Sequence, residues 1–154
     1  MGDSRGAVLI VEDEEAVGKL LATLVGNAGF TPHLAADGEE AIELLRSDPS
    51  AFLLVITDKN LPKRSGLEVM AVAKELSAET EVLLMTAFPS VETAVEVLRL
   101  GGAGYLVKPF PNLRDVLAEI ERVAKKAREA RVVRSQLREL EGLRGGVVDK
   151  PRAS

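Results

Sequence analysis

Apolar and polar positions alternate along this chain on two length scales. Short continuous aliphatic runs recur at Ala7–Val11, Phe52–Thr57, Val82–Met85 and Gly104–Val107, with a weaker one at Thr31–Ala35. Runs of this length without internal alternation predict strands covered on both faces. Between them the apolar residues fall at helical spacing. Glu14 to Asn27 carries Val17, Leu20, Leu21, Leu24 and Val25, with Gly29 as its stop. After the Asp37-Gly38 turn, Ala41, Ile42, Leu44 and Leu45 mark a second helix that Asp48-Pro49 ends. Further helices are predicted at Leu67–Leu76, Val91–Leu100, with Gly101-Gly102 behind it, and from near Asn112 to Leu143. Leu61 to Gly66 reads as a loop.

Five strands each followed by a helix imply a parallel α/β sheet with right-handed crossovers. In such open sheets ligands sit beyond the carboxyl ends of the strands, near the point where strand order reverses. Four runs end in residues of useful chemistry: Glu12-Asp13, Asp58, Thr86 and Lys108-Pro109. Carboxylates, a hydroxyl and an ammonium therefore meet at one sheet edge, which suits a divalent cation and a phosphoryl group. Two unit charges about 4 Å apart repel by roughly 4 kcal/mol at an effective dielectric near 20. Three carboxylates at Glu12, Asp13 and Asp58 thus require a cation or a proton. No His or Cys lies near these motifs, so the expected cation is hard, and Mg2+ fits best. Asp58 is the candidate nucleophile, since a carboxylate can take a phosphoryl group as an acyl phosphate. Taken singly, each residue has a plainer reading: Asp as a helix cap or turn, Thr86 as a cap, Lys108 as a solvated cation.

The last helix is long. Val116, Ile120, Val123, Ala127 and Ala130 step by four and three; the phase then slips to Val133, Leu137 and Leu140. This is a weak heptad seam with a stammer. Its second half has no domain to pack on, which leaves a dimeric coiled coil and a single extension both open. Residues 126–144 are read as that extension and 145–154 as a disordered tail or a cut linker.

Composition narrows the function. The 154 residues suit one domain, and 46% apolar content supports a core, an aliphatic one given no Trp and one Tyr. There is no cysteine, which excludes disulfides and thiolate metal sites. No run approaches the about 20 apolar residues of a membrane span, and residues 1–6 lack the apolar stretch of a signal peptide; the expected location is cytoplasmic. The net charge of −4 hides an asymmetry: residues 1–120 hold 10 Lys/Arg against 19 Asp/Glu, and residues 121–144 hold 8 against 4. The acidic part argues against direct nucleic-acid binding, and the basic helix reads first as a solvated face. His33 is far from the motifs in sequence and reads as a surface residue.

The set Val11-Glu12-Asp13, Thr57 to Pro62, Gly66, Thr86-Ala87, Tyr105 and Lys108-Pro109-Phe110 resembles the receiver domain of bacterial two-component response regulators. The resemblance covers residues 6–125, and its motifs are specific as an ordered set. It implies a flavodoxin-like (βα)5 three-layer sandwich with sheet order 2-1-3-4-5. It implies a phosphorelay switch in which a sensor histidine kinase phosphorylates Asp58, without enzymatic turnover. It implies Mg2+ on Asp13, Asp58 and the main-chain carbonyl of Asn60, with Glu12 acting through water. Thr86 and Tyr105 match the switch positions, Lys108 pairs with the phosphoryl group, and the Lys108-Pro109 bond is expected cis. The surface of the fourth helix, fifth strand and fifth helix would carry the change to an output protein or a missing effector domain. The run from Thr86 to Glu96 is similar to receivers of nitrogen-regulatory-type activators. The first acidic residue is Glu where many relatives have Asp. Phe88, two residues past Thr86, is expected to slow water entry.

Other functional classes fit these residues less well. A metal-dependent phosphatase with an Asp nucleophile would place a second Asp where Asn60 stands. A flavin carrier would need a Ser/Thr/Gly-rich loop after the first strand. A phosphorylation-independent docking module on the same fold would leave the complete acceptor set without a use.

Overall fold

The computed structural model describes the backbone of residues 3–152 and the side chains of residues 3–143. The ten elements alternate as the pattern requires: β1 (Ala7–Val11), α1 (Glu15–Asn27), β2 (Thr31–Ala35), α2 (Gly38–Ser47), β3 (Leu54–Asp58), α3 (Gly66–Leu76), β4 (Glu81–Thr86), α4 (Val91–Arg99), β5 (Gly104–Val107) and α5 (Leu113–Arg152). All strand pairs are parallel, in the order β2-β1-β3-β4-β5. Chain order reverses between β1 and β3, so the crevice beyond their ends is the expected binding place.

The aliphatic runs lack alternation because both faces of the sheet are covered. Val8, Ile10, Leu54, Ile56, Leu83 and Met85 face one layer, where α1 and α5 supply Leu21, Val25, Ile120 and Val123. Their sequence neighbours Leu9, Val11, Val55, Val82 and Leu84 face the other, against Ile42, Val69, Met70 and Val97 of α2, α3 and α4. Successive residues of a strand point to opposite faces. That rule also decides where each functional side chain goes.

Helix starts are fixed by local chemistry. Asp37 caps α2, accepting from the Glu40 amide at 2.8 Å, while the Glu40 carboxylate accepts from the Ala36 amide at 2.9 Å. Ser65 and Glu68 form a reciprocal capping box on α3. Ser90 caps α4 through the Thr93 amide at 3.1 Å. Strand β3 begins at Leu54 rather than Phe52 and includes Asp58, which places the carboxylate on the last ladder position, paired in register with Met85.

α5 leaves the body gradually. Ala127 is fully buried, Arg131 donates to the Phe52 carbonyl at 2.5 Å, and Arg134 pairs with Glu79 at 2.6 Å. Beyond that, Leu137, Leu140 and Leu143 are exposed. The backbone stays helical through Gly145-Gly146 to Arg152, where the sequence reading placed a tail or linker. Glycine costs about 1 kcal/mol per residue in a helix relative to alanine, which is why the sequence reads as a break there. Ala153 and Ser154 of that segment lie outside the described residues.

Candidate functional site

The ladder aligns the carboxyl ends of the strands. Val11 pairs with both Ala35 and Thr57, Asp58 with Met85, and Thr86 with Val107. Glu12, Asp58, Thr86 and Lys108 therefore arrive at one edge of the sheet. Pleat then sorts them. Continuing the alternation, Glu12 follows Ile10, Asp58 follows Ile56 and Lys108 follows Leu106, all three from the layer of α1 and α5. Thr86 follows Leu84, and Tyr105 packs with the opposite core layer beneath α4.

The first group forms the charged cluster. One carboxylate oxygen each from Glu12, Asp13 and Asp58 lie within 4.8 Å of one another. Glu12 is 5% exposed and Asp58 8%, whereas Asp13 is exposed. Lys108 Nζ donates to Glu12 Oε1 at 2.9 Å and lies 3.6 Å from Asp58 Oδ1 and 3.7 Å from Glu14 Oε1. The other Glu12 oxygen accepts from the Glu14 amide at 3.0 Å, and Asp58 Oδ1 accepts from the Lys59 amide at 3.0 Å. The Lys108-Pro109 peptide is cis.

One ammonium among these carboxylates leaves the cluster short of positive charge. Burial raises the Asp58 carboxyl above the ordinary Asp range; Lys108 and the Lys59 amide oppose this, and repulsion from Asp13 adds to it. Burial likewise raises Glu12, against the Lys108 and Glu14 hydrogen bonds and with Asp58 repelling. For Lys108, burial is the largest single influence and acts downward, but Glu12, Asp58 and Glu14 together outweigh it and raise the ammonium. A donor set of hard oxygens with unmet negative charge fits a small divalent cation.

Gly66 makes the loop after β3 close over the acceptor strand. A Cβ there would lie 2.0 Å from the Asp58 carbonyl oxygen, and the Gly66 amide donates to the Lys59 carbonyl at 2.8 Å. Lys63 in the same loop adopts a left-handed φ of 71°.

The sequence profile of the response regulator receiver domain matches residues 8–121. The chain belongs to the receiver-domain family. Its curated relatives include regulatory protein AtoC of Escherichia coli, 33% identical over 134 residues, covering 86% of this chain and 27% of that protein. Response regulator protein PilR of Pseudomonas aeruginosa is 35% identical, covering 75% of this chain and 26% of that protein. The receiver thus spans about a quarter of these relatives. Among solved structures, the chemotaxis protein CheY4 of Vibrio cholerae superposes with a TM-score of 0.70 at 30% identity, covering 77% of this chain and 98% of that one. A receiver-domain protein of Clostridium thermocellum matches in fold, with a TM-score of 0.74 at 21% identity.

This receiver brings together Glu12, Asp13, Asp58 and Lys108 as the sequence suggests. Thr86 sits at the same edge but its hydroxyl is turned to its own loop, accepting from the Phe88 amide at 3.1 Å; this is the plain local-turn role, and it leaves the hydroxyl proton free to donate elsewhere. Asn60 is exposed in the loop after Asp58. Phe88, expected to slow water entry, is 79% exposed. Sequence reasoning missed Glu14, whose carboxylate also reaches Lys108, and Lys59, whose ammonium donates to Thr93 Oγ1 at 2.8 Å. The Glu14 contact was legible in principle from its place beside Glu12-Asp13. The Lys59 contact spans 34 residues and leaves no local signal.

Proposed function

We propose that this receiver is a phosphorylation-operated switch in which Asp58 accepts a phosphoryl group from the phosphohistidine of a sensor histidine kinase. The observation that carries this reading is the burial of Asp58 beside Lys108 in a carboxylate cluster with unmet charge. Glu12, Asp13 and Asp58, with the main-chain carbonyl of Asn60, would hold Mg2+, Glu12 acting through a water. Bound there, the ion would offset charge on the carboxylate and on the phosphoryl oxygens.

The chain's own residues supply the rest. An Asp58 carboxylate oxygen attacks phosphorus, a P–O bond forms, and the P–N bond to the donor imidazole breaks with its electron pair going to the imidazole. Lys108, held by Glu12, is placed to pair with a phosphoryl oxygen. Thr86, whose hydroxyl accepts from the Phe88 amide and keeps its proton free, would donate that proton to another. A cleft of about 480 Å³ lined by Glu14, Val17, Leu20, Ala87, Lys108 and Phe110 adjoins the cluster and offers the donor an approach.

Phosphorylation adds nearly two negative charges and biases a pre-existing equilibrium of the switch residues. Val91, Val95 and Leu98 on α4 and Val107 on β5 are large and exposed around Tyr105, and this α4-β5-α5 face would carry the signal to an output protein or effector domain. The exposed seam of Leu137 and Leu140 would be covered by a second copy of the helix in a dimer. Accepting and slowly losing one phosphoryl group is switching rather than turnover, and a cytoplasmic kinase partner sets the location.

The experiment is phosphoryl uptake from acetyl phosphate, read by intact-protein mass with and without Mg2+. Wild type should gain one phosphoryl group only with Mg2+, and Asp58→Ala none. No gain by folded wild type would instead favour a docking module.

A further inference from the structure

Lys59 is the residue directly after the acceptor, and the site as described makes no use of its side chain. Strand alternation sends it to the layer opposite Asp58, the layer of α4. There its ammonium donates to Thr93 Oγ1 at 2.8 Å. Thr93 is 2% exposed, lies in the first turn of α4, and is tied to the cap residue: Ser90 Oγ donates to Thr93 Oγ1 at 3.0 Å and accepts from the Thr93 amide at 3.1 Å. The acceptor strand and the start of α4 are thus joined by one side chain.

Two features make this join weak by design of its charges. The ammonium stands at the amino end of a helix, the end that disfavours cations. Its partner there is a neutral hydroxyl, which offers the ammonium no opposite charge, unlike the carboxylates that hold Lys108. The Lys59 amide donates to Asp58 Oδ1 at 3.0 Å, so the backbone that carries this join is tied to the carboxylate that would take the phosphoryl group, and a rearrangement there is passed on within one residue.

We propose that Lys59 is a positioning residue: it latches the first turn of α4 to the acceptor strand, and phosphorylation of Asp58 opens the latch. This couples the acceptor to the α4 face by a second route beside Thr86. The inference rests on Asp58 being the acceptor, and the test separates the two.

The test is amide hydrogen exchange in the first turn of α4, residues 91–95, in wild type, Lys59→Met and Thr93→Val, before and after acetyl phosphate with Mg2+. Intact mass of each sample records phosphoryl uptake, and α2 serves as an internal control. Before treatment, both variants should exchange about fivefold faster than wild type in that turn, the change expected for one lost hydrogen bond, with α2 unmoved. On phosphorylation wild type should accelerate toward the variants while the variants change little. Equal exchange in wild type and Lys59→Met before treatment would overturn the latch. So would an equal phosphorylation-induced increase in both, with uptake verified by mass. Absence of uptake in wild type would instead refute the acceptor assignment while the untreated comparison still judges the contact.

Discussion

At the scale of single residues, the site is a balance between burial and charge. Burial raises the Asp58 carboxyl in the folded protein. A carboxyl that binds its proton more tightly when folded favours folding below its unfolded pKa. That contribution is lost as pH rises through the folded pKa. At neutral pH the ionised Asp58 therefore opposes folding, and Asp58→Asn should stabilise the metal-free protein by on the order of 1 kcal/mol. The gain should vanish as pH falls below the carboxylate range, where wild-type Asp58 is protonated. Chemical denaturation of both proteins across that range in chelator checks the sign. Mg2+ should raise the melting temperature of wild type more than that of Asp58→Asn, and equal responses would count against Asp58 as a ligand. The residue types and their order made this cluster legible beforehand, because carboxylates at neighbouring strand ends have few other reasons to meet. The hydrogen bond of Lys59 was not legible, since it depends on a rotamer and on a loop path that periodicity does not encode, whereas that of Thr86 is the local role its place after a strand allows.

At the scale of elements, strand periodicity did most of the positioning. The continuous runs at β1, β3 and β4 required a doubly covered sheet, and parallel register then fixed which ends coincide. Boundaries were less legible. Asp58 and Thr86 are polar and look like loop residues, yet both are the last ladder positions of their strands, because pairing continues one residue past the apolar run. The loop after β3 depends on Gly66, where a Cβ would lie 2.0 Å from the Asp58 carbonyl oxygen. Gly66→Ala must push the loop off the acceptor strand, and overpacking of this kind costs about 1–3 kcal/mol. The loss should appear as a lower denaturation midpoint together with reduced Mg2+-dependent phosphoryl uptake. Gly142→Ala, where a Cβ meets nothing within 4 Å, is the matched control and should leave uptake unchanged.

At the scale of the whole molecule, one acidic body carries a helix that outruns it. The sequence showed the seam but not where the body stops supporting it; Ala127, Arg131 and Arg134 extend that support past residue 125. Past Arg134, Leu137 and Leu140 are more than half exposed, which a paired helix would relieve. Sedimentation equilibrium should find wild type dimeric at micromolar concentration and Leu137→Glu/Leu140→Glu monomeric with unchanged helix content; equal masses would argue for a single extended helix. No described helix is long and apolar enough to cross a membrane. All of these scales converge on one carboxylate. Borohydride reduces an aspartyl phosphate to homoserine, so peptide mapping after acetyl phosphate and Mg2+ locates the acceptor directly. Conversion at residue 58 alone is the predicted result, and no conversion, or conversion at Asp13 instead, would contradict the account.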